Sequence, residues 1–271
     1  MKRFVPPLSS GPEHLPPETL RSRVGSALGW HLFTRAGVLA AAGVLLFAGC
    51  SVREELAISG DGSGRATLSV ELHPILVSYM SDLTAAMTGV EGDYPIFDLD
   101  QLRASFAERD GVVLESASNP ERGSLEMVVS FNDISEVLAR EGADDVLRLD
   151  RRGANRELTV RLDREAVQRF LEFAPDESTT MAQFLLPPAD GSVSREEFRE
   201  EMAWALEEYA DRRVVERVLD ESQIVVRVVP QGRIVSQRGG EIRGNAVIFR
   251  VPILDLLTLP DERSYSLVFA P

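Results

Sequence analysis

Leu56-Ala57-Ile58-Ser59-Gly60-Asp61-Gly62-Ser63-Gly64-Arg65-Ala66-Thr67-Leu68-Ser69-Val70-Glu71-Leu72 is the stretch that decides the fold of this chain. Leu68, Val70 and Leu72 alternate with Thr67, Ser69 and Glu71, the period of two expected of a half-buried strand. Leu56 and Ile58 carry the same period on the other side of an Asp-Gly pair. Two alternating runs around such a turn predict an antiparallel hairpin. The glycine-rich loop lacks the lysine of a phosphate-binding loop and has one Asp where a calcium loop has several. Turn chemistry accounts for it.

Outward from this hairpin, the pattern changes to one of three and four. Leu76, Tyr79, Met80, Leu83 and Met87 share one helical face, and Gly89, Gly92 and Pro95 end it. Met80 and Met87 are read as core filler. A short helix is expected from Asp98 to about Arg109, with Asp98 and Gln101 in capping-box spacing and Leu99, Leu102 and Phe106 as its apolar face.

Hairpin followed by helix then recurs. Val112 to Ser118 turns at Asn119-Pro120 into Leu125, Met127, Val129 and Phe131, and Asn132 or Asp133 caps a helix bearing Ile134, Val137 and Leu138. Val146 to Arg151 turns at Arg152-Gly153-Ala154-Asn155 into Leu158, Val160 and Leu162, and Asp163 caps a helix bearing Ala166, Val167, Phe170 and Leu171. These are three β-β-α units without a sequence repeat.

Residues 174–193 break the pattern, because Pro175, Pro187 and Pro188 forbid a regular element. The stretch nevertheless holds Met181, Phe184, Leu185 and Leu186. Apolar side chains on so long a loop pack back on the body, cover a cavity or meet a partner. These four are candidate rim residues of a ligand site between sheet and loop. Ser194 with Glu197 forms a second capping box, opening a helix with the stripe Phe198, Met202, Leu206 and Tyr209 and a continuation through Val215 toward Leu219. Its Glu doublets point about 100° apart and make a solvated face, not a carboxylate pair.

The chain ends in strands at Ile224–Val229, Arg233–Gln237, Asn245–Val251 and Tyr265–Phe269, with an apolar connector from Pro252 to Leu259. Leading hairpins and trailing strands predict an α+β fold. One mainly antiparallel sheet is expected, completed by the trailing strands, with helices packed on one face.

The residue inventory excludes much chemistry. Lys2 is the only lysine, so neither a Schiff base nor a P-loop lysine is available outside the N-terminus. The histidines are His14, His31 and His73, and Cys50 is the only cysteine. Cys/His zinc sites, Ser-His-Asp triads and an internal disulfide are therefore not expected, and no catalytic residue, metal ligand or cofactor is assigned.

Residues 1–49 have the form of an export signal. Lys2, Arg3, Arg21, Arg23 and Arg35 precede an uncharged stretch, Ala36 to Ala48, which is too short for a spanning helix of about 20 residues. The stretch ends Val44-Leu45-Leu46-Phe47-Ala48-Gly49-Cys50, the form of a bacterial lipobox, with Phe47 in place of the usual leucine. The expectation is cleavage before Cys50 and acylation of its thiol (palmitate among the chains), leaving one exported domain, 50–271. That domain carries 24 basic and 41 acidic residues, a charge that repels nucleic acid and anionic head groups. Ser51 after the cysteine, where Asp would mark inner-membrane retention, favours the outer membrane of the cell envelope, on its periplasmic face or its surface.

The lipidated cysteine followed by the Ser59–Gly64 hairpin is one of two stretches that carry a family resemblance. The other is Val228-Val229-Pro230-Gln231-Gly232-Arg233-Ile234 with Gly239-Gly240-Glu241, Gly244-Asn245 and Ala246–Phe249. Together they resemble LppM-like bacterial lipoproteins, leaving about residues 90–220 unmatched. The resemblance implies one exported α+β domain with a lipid or glycolipid ligand at the envelope, and transfers no catalytic residue.

The leading expectation is thus a lipid-anchored, non-enzymatic domain that binds lipid or another apolar ligand. An envelope scaffold or assembly factor with a protein partner is the alternative. A hydrolase built on carboxylates alone would need two buried acids about 5–9 Å apart.

Overall fold

Eleven strands among the described residues pair into two sheets, not one. The computed structural model describes residues 50–88, 96–140, 142–166, 186–188, 191–259 and 261–271. The first hairpin is β1 (Cys50–Ile58) and β2 (Gly64–Leu72), in continuous antiparallel register from Cys50↔Leu72 to Ile58↔Gly64. Strand pattern begins six residues before Leu56. At the turn, the Ser59 amide donates to the Ser63 carbonyl at 2.8 Å. The Asp61 carboxylate accepts from the Ser63 hydroxyl and amide, which holds it below the usual carboxylate range. Gly62 sits at φ 93°, and a Cβ there would meet the Asp133 carboxylate at 2.7 Å, so this position requires glycine.

The second hairpin, β3 (Val112–Ser118) and β4 (Ser124–Phe131), joins the first through β4 against β2. The third, β5 (Leu147–Arg152) and β6 (Asn155–Leu162), goes to the other sheet. The trailing strands β7 (Gln223–Pro230), β8 (Arg233–Arg238), β9 (Glu241–Arg243), β10 (Ala246–Pro252) and β11 (Arg263–Ala270) then divide. β7, β10 and β9 extend the first sheet, giving the order β3-β4-β2-β1-β7-β10-β9. β11 and β8 complete the second, β5-β6-β11-β8. Among the described strands, only the β1–β7 pairing is parallel. The class is α+β with mainly antiparallel sheets, but the single sheet expected from the trailing strands is two. Alternation states which face of a strand is apolar; it does not state which edge the strand joins.

Helix α1 (Pro74–Thr88) follows the first hairpin, and α2 (Leu99–Ala107) is capped by Asp98, which accepts from the amides of Asp100 and Gln101. Asp133 caps α3 (Ile134–Arg140) by accepting from the Ser135 amide, and the Ile134 amide donates to the Gly62 carbonyl, tying α3 to the first turn. Asp163 accepts from the Ala166 amide at 2.7 Å. The one helix expected beyond Ser194 is two: α4 (Arg195–Leu206), with its capping box formed, and α5 (Arg212–Glu221), capped by Asp211. Asp211 accepts from the Arg213 amide, which starts a new helix instead of continuing the old one. The apolar connector is helical, α6 (Ile253–Leu257), with Ile253, Leu254, Leu256 and Leu257 buried.

The outer face of the seven-stranded sheet is polar. Arg53, Glu55, Arg65, Thr67 and Glu71 are exposed, with Arg227 Nη1 to Glu55 Oε2 at 2.7 Å across β7 and β1. The inner face buries Val52, Leu56, Ile58, Leu68, Val70, Leu125 and Met127. Each such side chain contributes about 1.5–3 kcal/mol on transfer from water. Every described element and the buried core of the described residues lie within 50–271.

Candidate functional site

A cavity of about 280 Å³ opens among the apolar side chains of the core. A single water needs only ~10–15 Å³ of such volume, so this is room for a molecule of many heavy atoms, not a packing defect. One wall is the inner face of the seven-stranded sheet: Leu56, Leu68, Met127, Val129, Val226 and Phe249 among others. The opposite wall is the second sheet, through Leu147, Leu158, Val160, Leu162 and Leu267. Phe106 of α2 and Val137 and Leu138 of α3 close the sides, with Leu256 of α6. The Phe249 and Tyr265 rings meet edge to face, centroids 5.7 Å apart, and bridge the two sheets beside the cavity.

The local sequence explains the void. Where two sheets face each other at about 10 Å, large interdigitating side chains fill the space. Here the centre of the first sheet presents Ala66, Val226 and Val228, and the second presents Val160. These are short side chains, which fill less of such a space than Leu or Phe would.

Glu54, Tyr265 and Ser266 are the described lining residues with polar side chains. Tyr265 stands two residues along β11 from Arg263, whose guanidinium donates to Asp255 at 2.9 Å. Glu54 is different. It lies on the inward face of β1, between Val52 and Leu56, and its register partners are Leu68 on β2 and Val226 on β7. Among the described residues it has no hydrogen-bond or ion-pair partner. Its surface is only partly covered by protein atoms, yet it is desolvated. It lines the cavity. Burial pushes its carboxyl above the usual range.

Of the residues marked in the sequence, Cys50 opens β1 opposite Leu72. Leu186 packs against the hydrophobic core and is not among the cavity-lining residues. Met181, Phe184 and Leu185 lie outside the described residues. The described lining of the cavity comes from the two sheets and from α2, α3 and α6, and the loop on which a site between sheet and loop was expected lies largely outside the described residues. Glu54 carries a signal that sequence reasoning passed over. Counting back by two from Ile58 and Leu56 puts Glu54 on the apolar face, a charge at a core position. Among the described residues no cluster of three or more metal-ligating side chains occurs.

No family model matches the chain, and no curated protein matches it. A solved structure similar to it is the NMR structure of the folded domain of LppM from Mycobacterium tuberculosis, which aligns with 83% of this chain and 91% of its own at 14% sequence identity, with a TM-score of 0.38.

Proposed function

We propose that this chain is a membrane-anchored bacterial lipoprotein of the cell envelope whose exported domain binds a lipid or another apolar ligand without catalysing a reaction. The observation that carries the reading is the apolar cavity between the two sheets. A ligand site is expected to be concave, mainly apolar and supplied with few polar groups, and this one has an apolar wall broken chiefly by one carboxyl. The lipobox at Cys50 supplies the anchor, attached where β1 begins, and Ser51 favours the outer membrane. Paired-carboxylate hydrolysis draws little support: the described cavity wall offers Glu54 alone, where that chemistry needs two acids.

The test is native mass spectrometry of residues 50–271 purified from bacterial membranes' soluble extract, with organic extraction of the same sample. A bound apolar molecule, released on unfolding, is the expected result. A ligand-free protein that also leaves the neutral dye N-phenyl-1-naphthylamine dark would overturn the reading. Recovery of one dominant protein partner in place of a lipid would turn it into an envelope scaffold.

A further inference from the structure

We propose that Glu54 is the specificity residue of the cavity, selecting apolar ligands that carry one neutral hydrogen-bonding group, a hydroxyl or a carbonyl, placed inside the cavity and not at its mouth. The inference rests on the cavity's being a ligand site and adds what that site reads.

The geometry carries it. The middle of β1's inward face is the costliest place in this sheet for a carboxyl, since its neighbours across β2 and β7 are Leu68 and Val226. A buried polar group without a partner costs roughly 1–3 kcal/mol by mutational measures. Among the described residues nothing offsets that cost: no side chain donates to or pairs with the Glu54 carboxyl, and Tyr265, the other titratable group on the cavity wall, does not act on it. Leucine or valine at this position would continue the pattern of Val52, Leu56 and Ile58. A ligand supplies the missing partner. A hydroxyl donates to this carboxyl whether or not it carries its proton, and burial, which raises the carboxyl's affinity for that proton, brings the neutral acid, an O–H donor to a carbonyl, closer to reach. A neutral group also enters the cavity without the desolvation cost of a charge.

Displacement of N-phenyl-1-naphthylamine from residues 50–271 tests this, using decan-1-ol, n-decane and decylammonium at pH 7. In the wild type both the alcohol and the alkane displace the dye. Glu54→Leu weakens the alcohol about tenfold, the value of one hydrogen bond in a dry site, while the alkane binds as before or more tightly. Glu54→Gln, which still donates and accepts, keeps the alcohol within about threefold of wild type. Circular dichroism confirms that each variant is folded. If Glu54→Leu shifts alcohol and alkane equally, Glu54 reads nothing and the proposal fails while the cavity remains a ligand site. Tighter binding of decylammonium than of decan-1-ol to the wild type would overturn the neutral-ligand class. If neither neutral probe displaces the dye from wild type, the ligand-site reading fails and this one with it.

Discussion

Glu54 on β1 and Val226 on β7 stand in parallel register on the cavity wall, a carboxyl beside an isopropyl group with no polar atom of the described chain to receive it. The folded state therefore holds the Glu54 proton more tightly than the unfolded chain does.

A pH dependence follows, with a definite sign. Below the ordinary value of 4.5 the carboxyl is protonated in both states and contributes nothing. As pH rises from 4.5 toward the raised folded value, the unfolded chain releases the proton first, so stability falls across that window and then levels off. Glu54→Gln removes the titration. The urea midpoints of wild type and Glu54→Gln in ligand-free protein are expected to differ least near pH 4.5 and most at pH 8, with the variant more stable. A difference that is flat in pH would show that Glu54 is solvated.

The cavity makes a second expectation. Ala66 lines it from β2, in register with Leu56 and Val129. Ala66→Leu adds three carbons to a side chain that faces empty space, so the usual cost of overpacking is avoided and a gain of about 0.5–2 kcal/mol is expected. The same substitution should abolish uptake of N-phenyl-1-naphthylamine. Calorimetric melting together with dye titration checks both; a destabilised variant that still takes up the dye would show that Ala66 does not face the void.

Both expectations depend on features that were unequally visible in the residues. The three hairpins and most helices followed from alternation and caps, because those signals are local: Asp61-Gly62 makes its own turn, and Asp98, Asp133, Asp163 and Ser194 each accept from an amide two or three positions on. The division into two sheets was not local. β8 and β10 are both amphipathic strands near the end of the chain, and only tertiary pairing sends Arg233–Arg238 to β11 and Ala246–Pro252 to β7. The cavity was hidden for the same reason, since it depends on which short side chains face each other across sheets. Glu54 was legible once β1 was extended back to Cys50, because period two then places it inward.

Arg199 on α4 pairs with Asp220 and Glu216 on α5 and with Glu196 on its own helix. Its guanidinium reaches Asp220 at 3.1 Å, Glu216 at 3.5 Å and Glu196 at 3.1 Å, with its side chain 17% exposed. The Asp220 hydrogen bond holds its proton more firmly still. Pairs this covered lie between surface and buried cases, so Arg199→Ala should cost about 2 kcal/mol, including the packing of its stem. A double-mutant cycle with Asp220→Asn should give a coupling of about 1 kcal/mol that shrinks in 1 M salt. Additive effects would mean that α4 and α5 are held by Phe198, Met202, Val215 and Leu219 alone.

The proposed anchor can be tested separately from the fold. Cys50 is the first residue of β1, paired with Leu72, so its replacement by serine removes one sulfur at the end of a strand and should change stability by no more than about 0.5 kcal/mol. Its effect on processing should be complete. Intact mass of the wild type from membranes is expected to show residues 50–271 plus diacylglycerol and a further acyl chain. Cys50→Ser should show the full 271 residues without acyl mass. Three acyl chains bind far beyond the marginal hold of one, so the wild type should stay with the membrane through washing at high salt and high pH. A wild-type chain carrying a free thiol and its first 49 residues would remove the lipoprotein reading and leave the cavity between the sheets standing on its own.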